Sequence, residues 1–253
     1  MASPDHTERR LLLVAATLSA AVTLGLFALP LQLAAFGVRD GALLGWNGLA
    51  FGVGVGVSAV VAPWWGALGD RYGKRAMLLR AAGGLALSQL LLAAADAPAE
   101  VVVGRVVQGA LSGSMPAVMA LGRALPGERT ARFGKLESAN AAGGLAGPVI
   151  GAALVWVGGA AWAYVGAAVL ALLAGAVTVG LPEVRRAEPP KERSALLLMP
   201  EVRRLLGVVF VVEAAQQLVE LAWPVLVVRL APDPGVQAAV LAAVEVAGEG
   251  AYL

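Results

Sequence analysis

Arg105 and Gln108 lie three residues apart in the run Val101–Gly122, which carries no other charged residue. On a helix that spacing puts both side chains on one face. A guanidinium stays charged at any working pH, so an arginine in apolar surroundings must snorkel to headgroups, find an acceptor or line a wet cavity. A second polar set is Glu213, Gln216, Gln217 and Glu220, at i, i+3, i+4 and i+7, one stripe of a helix. Carboxyl groups in a low-dielectric interior can exchange protons near neutral pH, which suits cavity lining; the same stripe would also serve as a packed polar seam between helices. Gln32, Asn47 and Asn140 are further cavity candidates, and Glu245 and Glu249 are weaker ones. Other chemistries lack their groups. There is no cysteine, and His6 is the single histidine, so disulfides, thiolate nucleophiles and the usual His/Cys zinc sites are excluded. A Gly-x-Ser-x-Gly nucleophile elbow and a phosphate-binding glycine loop are also missing from the sequence. No catalytic residue, metal or cofactor is expected, and the chain does not read as an enzyme.

The elements that hold these residues follow from composition. Of 253 residues, 59% are hydrophobic and 14% charged, against roughly 45–50% apolar and 25% charged in soluble domains. The mean hydropathy is +0.78. A hydrocarbon layer about 30 Å thick needs about 20 helical residues, and helices satisfy their own backbone. Leu11–Phe36 and Ala42–Gly69 qualify without a charge, Ala76–Ala95 contains only Arg80, and Val101–Gly122 contains only Arg105. Ser138–Pro182 is uncharged throughout and fits two spans joined by a tight turn at Val157, Gly158 and Gly159. Leu205–Val228 would be a seventh span and Val236–Leu253 an eighth. The expected fold class is therefore an all-α integral membrane protein.

Sixteen of the 19 Lys and Arg residues fall on one side of this array: in the N-terminal tail, after spans two and four, and between residues 182 and 204. Arg39 and Arg229 fall on the other side, and Arg105 within a span. The positive-inside rule then puts the N-terminus in the cytoplasm of a multi-pass cell-membrane protein. It also accounts for the net charge of +2 and pI near 9.3 without a nucleic-acid partner. The competing reading of the start, a cleaved secretory signal, asks for an apolar core of about 7–15 residues, whereas Leu11–Phe36 is longer. Residues 1–181 read as a six-helix bundle and 182–204, with Pro189 and Pro190, as a cytoplasmic linker. Residues 205–253 read as the start of a second, incomplete bundle; two full sets would need about 400 residues.

Three segments carry a family resemblance. Gly66-Ala-Leu-Gly-Asp70-Arg71-Tyr-Gly73-Lys74-Arg75, after span two, resembles the signature G-x-L-a-D-R-x-G-R-K of the major facilitator superfamily. Gly66 and Gly73 suit close packing and turning, and Asp70 can cap a helix or pair with arginine. Arg105-Val-Val-Gln108-Gly109 resembles the family's R-x-x-Q-G. Gly143, Gly147, Pro148 and Gly151, with Ala152 in place of a final glycine, resemble the G-x-x-x-G-P-x-x-G-G element of drug:proton antiporters. Ordinary small-residue packing is the plainer explanation of that glycine face. Gly52, Gly54 and Gly56 in span two also read as packing glycines.

The resemblance implies a bundle of 3+3 inverted repeats, alternating access between two bundles and proton-coupled efflux of small organic compounds. The partners would be a small-molecule substrate, protons and the bilayer. It implies that Arg105 and Gln108 are central, that the loop around Asp70 latches the cytoplasmic side, and that the glycine face of span five is a packing hinge. Uptake by symport or facilitated diffusion is the same-fold alternative, and a truncated, nontransporting membrane protein the alternative of another class. Two copies could pair through the exposed bundle face; the sequence leaves the oligomeric state open.

Overall fold

The computed structural model describes residues 4–184, 204, 226–228, 230 and 233–250. Among these, α1 (Pro4–Ala35), α2 (Asp40–Tyr72) and α3 (Lys74–Ala93) are followed by α4 (Pro98–Leu111), α5 (Ser114–Ala124), α6 (Arg129–Gly158), α7 (Ala160–Val179) and α8 (Pro234–Gly250). Six helical spans are long and apolar enough to cross a bilayer, with α4 and α5 counting as one. The helices form because long Ala/Leu/Val-rich runs must satisfy their own backbone groups in lipid, and α1, α2 and α6 continue through Pro30, Pro63 and Pro148. α1, α2, α4 and α6 end beside a glycine with positive φ, at Gly37 (82°), Gly73 (108°), Gly113 (81°) and Gly159 (78°). Gly159 makes the tight turn expected between the fifth and sixth spans.

α1 packs along α6 and α7, α3 lies against α7 and α4, and α2 lies mainly against α4. α8 rests on α6. The interior has two apolar clusters. One, around Leu11, Leu18, Leu78, Leu85, Leu121 and Leu136, lies toward the N-terminal end of α1; the other is built on Phe27, Leu33, Leu92, Val101 and Tyr164. Outward-facing Leu87, Leu90, Leu172, Leu173, Val169 and Val179 give α3 and α7 an apolar exterior, as lipid contact requires.

Two boundaries differ from the hydropathy reading. The fourth span is broken, because Gly113 adopts the left-handed conformation and Pro116 has no N–H for the Ser112 carbonyl one turn back. The fifth begins at Arg129 instead of Ser138, because a helix carrying Arg129, Arg132, Lys135 and Glu137 continues past its apolar part. Of the three span-two glycines read as packing residues, Gly54 does pack, but a Cβ on Gly52 or Gly56 would meet nothing within 4 Å.

Three of the arginines that set the charge asymmetry, and Arg39 on the other side, also close helix carboxyl ends, where carbonyls lack partners and the dipole favours cations. Arg10 donates to the Gly180 carbonyl (3.0 Å) and Arg75 to that of Leu181 (3.1 Å), both after α7. Arg132, buried, donates to the carbonyls of Gly122 (3.1 Å), Leu125 (3.0 Å) and Pro126 (2.5 Å) at the end of α5. Arg39 donates to the Ala34 and Val38 carbonyls after α1.

Candidate functional site

The site is built where α4 crosses α2. Gly109 and Gly54 let the two backbones touch: a methyl on Gly109 would collide with the Gly54 carbonyl. Gly104, on another side of α4, leaves room for the Leu92 side chain, which a Cβ there would approach to 2.7 Å. With α4 so seated, Arg105 enters the interior and is only 6% exposed, and Gln108 5%. The Arg105 Nε donates to the Ala50 carbonyl of α2 at 3.2 Å, and its Nη1 donates to the Gln108 Oε1. The guanidinium carbon stands 5.9 Å from the Phe51 ring centroid. The acceptors and the ring are all neutral. Among the described residues no carboxylate lies within ion-pair distance of Arg105.

Other buried polar groups occupy the same interior. Gln32 of α1 donates its Nε2 to the Leu92 carbonyl at 2.7 Å, while its Oε1 finds no partner among the described residues. Asn47 lies one turn before Ala50 on α2, 4% exposed, with its Oδ1 unpartnered. Sequence reasoning missed two others, Gln89 of α3 and Tyr164 of α7, both fully buried with unpartnered polar atoms. Neither residue lies in a recognisable motif; an amide or hydroxyl inside an apolar run was the available signal. The structure thus joins Arg105 to Gln108 directly and leaves Gln32 and Asn47 in the bundle without a bond to either. Asn140 contributes its backbone carbonyl, which accepts from the Ser19 hydroxyl at 2.8 Å. Glu213, Gln216, Gln217 and Glu220 lie outside the described residues, as do the side chains of Glu245 and Glu249.

The loop after α2 is a compact electrostatic knot. Asp70 pairs with Lys74 at 2.5 Å. Gly73 turns the chain at φ 108° and leaves no room for a side chain, since a Cβ would collide with the Glu183 carboxylate. That carboxylate accepts from the Arg75 N–H at 3.1 Å, capping the start of α3, and lies 3.5 Å from the Arg75 guanidinium. Arg71 is exposed, 5.5 Å from the Tyr72 ring. A Cβ on Gly66, read as a close-packing position, would meet nothing within 4 Å.

The glycine face of α6 packs on α1. Methyl groups on Gly143 and Gly147 would collide with the Ala16 carbonyl and the Thr23 hydroxyl, and one on Gly151 would approach the Phe27 ring to 2.7 Å. Pro148 is buried within the same helix.

The model of the Major Facilitator Superfamily matches residues 11–247. Curated relatives include the protein named multidrug resistance protein MdtG in Proteus mirabilis strain HI4320, 36% identical over 129 residues, which is 50% of this chain and 32% of that one. The protein of the same name in Enterobacter lignolyticus strain SCF1 is 35% identical over 129 residues, 50% of this chain and 31% of that one. In Serratia proteamaculans strain 568 the identity is 36% with the same coverage. The matched part of this chain therefore covers about a third of the length of these relatives.

Proposed function

Because the chain belongs to the major facilitator superfamily, we propose that it serves secondary active transport across the cell membrane, exporting small organic compounds in exchange for protons. The observation that carries this reading is Arg105, a buried guanidinium held by neutral acceptors, with no carboxylate in reach among the described residues. An ion so placed in a membrane bundle is costly unless it works on a cargo, a proton site or a wet cavity. The similarity to proteins named for multidrug resistance supports a broad range of organic substrates.

In this mechanism two bundles rock about a central site, with Arg105 and Gln108 on the first bundle's side; Glu213, Gln217 and Glu220, outside the described residues, are the carboxyl and amide groups that the sequence offers for the second. Protonation of a carboxyl group facing Arg105 would weaken its hold on the guanidinium, and deprotonation would restore it, coupling proton movement to the exchange between states. Gln32 and Asn47 offer neutral hydrogen-bonding groups to cargo. Asp70, Lys74, Arg75 and Glu183 form the cytoplasmic latch, and the α1–α6 glycine seam is the packing surface on which the bundle holds its shape. The weight of Lys and Arg in the tail and in the loops after spans two, four and six supports a cytoplasmic N-terminus.

The test is proton-coupled efflux in sealed inverted vesicles containing the full coding product, with a panel of lipophilic cations. Substrate-triggered proton release that disappears in Arg105→Ala is the expected result. Substrate movement accompanied by protons in the same direction would replace antiport by symport. No flux from the correctly inserted protein would favour the nontransporting alternative.

A further inference from the structure

The break between α4 and α5 exposes three backbone carbonyls inside the apolar array, and two side chains from neighbouring helices satisfy them. The Trp65 indole N–H of α2 donates to the Ala110 carbonyl at 2.7 Å. Arg80 of α3 donates Nη1 to the Leu111 carbonyl and Nη2 to the Ser112 carbonyl, each at 2.9 Å. The guanidinium lies over the Trp65 ring, 3.7 Å from its centroid. Gly84 makes this approach feasible, since a Cβ there would come within 2.6 Å of the Leu111 Cβ. In a bilayer these carbonyls could not turn to water, and the carboxyl end of a helix favours a cation. The planar fork of arginine serves two adjacent carbonyls at once, which an ammonium does not.

The contacts continue directly into the candidate site. The Ser112 carbonyl is held by Arg80, the Ser112 N–H donates to the Gln108 carbonyl at 2.8 Å, and the Gln108 side chain accepts from Arg105. We infer that Arg80, stacked on Trp65, is a positioning residue that fixes the broken end of α4 and thereby sets where Gln108 and Arg105 stand against α2. The assignment rests on the reading of Arg105 and Gln108 as the working pair. It touches no cargo itself. It makes the fourth span two separately anchored pieces: α4, tied to α2 and α3 by this clamp, and α5, tied to α6 by Arg132.

The chain has no native cysteine, so paired reporters need no background removal. Nitroxides at Val60→Cys and Val103→Cys, both exposed, report α4 against α2, and Leu13→Cys with Val169→Cys provides a control across α1 and α7. Distances are measured on the 253-residue chain in lipid vesicles. In Arg80→Gln the 60–103 distance is expected to shift by about 1–2 Å or to broaden, the scale on which packed helices slide, while the 13–169 distance stays. Arg80→Lys should recover part of the original distribution. If Arg80→Gln does not insert, Trp65→Phe, which keeps a ring under the guanidinium but loses the bond to Ala110, decides on the same readout. An unchanged 60–103 distribution, or an equal change in both pairs, overturns the assignment. Transport is not the readout, so an inactive chain with an intact clamp would count only against the transport reading, and an insensitive 60–103 pair only against the clamp.

Discussion

Arg105 depends on Gln108 for one of its two described hydrogen bonds, so the pair is best tested from the neutral side. Gln108→Leu leaves a buried guanidinium N–H without an acceptor, at a cost of about 1–3 kcal/mol. Efflux of a lipophilic cation by the full coding product should fall about 5- to 150-fold if that cost appears in the working state. Unchanged efflux in correctly inserted protein would remove Gln108 from the site. Another residue-scale expectation concerns Glu8, ahead of the apolar run that begins at Leu11. Its hydrogen bond from Lys135, together with the charges of Lys135 and Arg132, holds its carboxyl below the ordinary 4.5, while partial burial opposes them. Because the folded value is the depressed one, the stabilisation is present above the unfolded value and disappears as pH falls through the folded one. Melting should therefore separate the native chain from Glu8→Gln near neutral pH by a small margin, since exposed pairs are screened, and the two curves should converge in acid. A separation that persisted in acid would point to a packing loss instead. The Arg105–Gln108 contact was legible because its spacing is one helical turn. Arg80, Trp65, Gln89 and Tyr164 were not, because what they face is contributed by other helices and by a break that hydropathy does not register.

At the scale of elements, the contrast between two glycine-rich helices is decisive. Gly143, Gly147 and Gly151 recur every four residues and meet α1, whereas added methyls on Gly52 and Gly56 would meet nothing within 4 Å. Gly143→Ala and Gly147→Ala must force α6 away from α1, at about 1–3 kcal/mol each by the usual cost of overpacking. Gly52→Ala and Gly56→Ala should leave bundle stability unchanged or raise it by about 0.5–1 kcal/mol, because alanine restricts the unfolded chain more than glycine does. Thermal melting of the four variants in one detergent gives the comparison. Equal behaviour of the two pairs would mean that the α1–α6 seam is not the tight contact its geometry indicates. The spacing of these glycines was readable in the sequence; which helix they meet was not, since a small-residue face is compatible with any partner. Ser112-Gly113-Ser114 and Pro116 did carry the local signals of an interruption. A run of span length whose one charge is Arg105 outweighed them, and the first turns of α6 were missed because their charged residues lie beyond its apolar part.

For the whole molecule, two separate effects draw arginines to the same places. A membrane protein concentrates Lys and Arg at its cytoplasmic side, and a helix carboxyl end attracts the same groups. Arg10, Arg75 and Arg132 close the carboxyl ends of α5 and α7 and lie on the side of the array richer in Lys and Arg. The six-span bundle was legible because this asymmetry and the apolar lengths agree; the arginines' individual acceptors were not, because they depend on which helix ends are neighbours. If the orientation is right, single cysteines placed at exposed Glu128 and Asp96, at opposite ends of the bundle, should separate cleanly with a membrane-impermeant maleimide. Glu128→Cys should label in inverted vesicles only and Asp96→Cys in right-side-out vesicles only. The reverse pattern would put the arginine-capped ends outside, overturn the cytoplasmic placement of the Asp70 loop and reverse the assigned directions of cargo and proton. Labelling of each site from both sides would mean mixed insertion, and the charge asymmetry would then be too weak to fix one orientation.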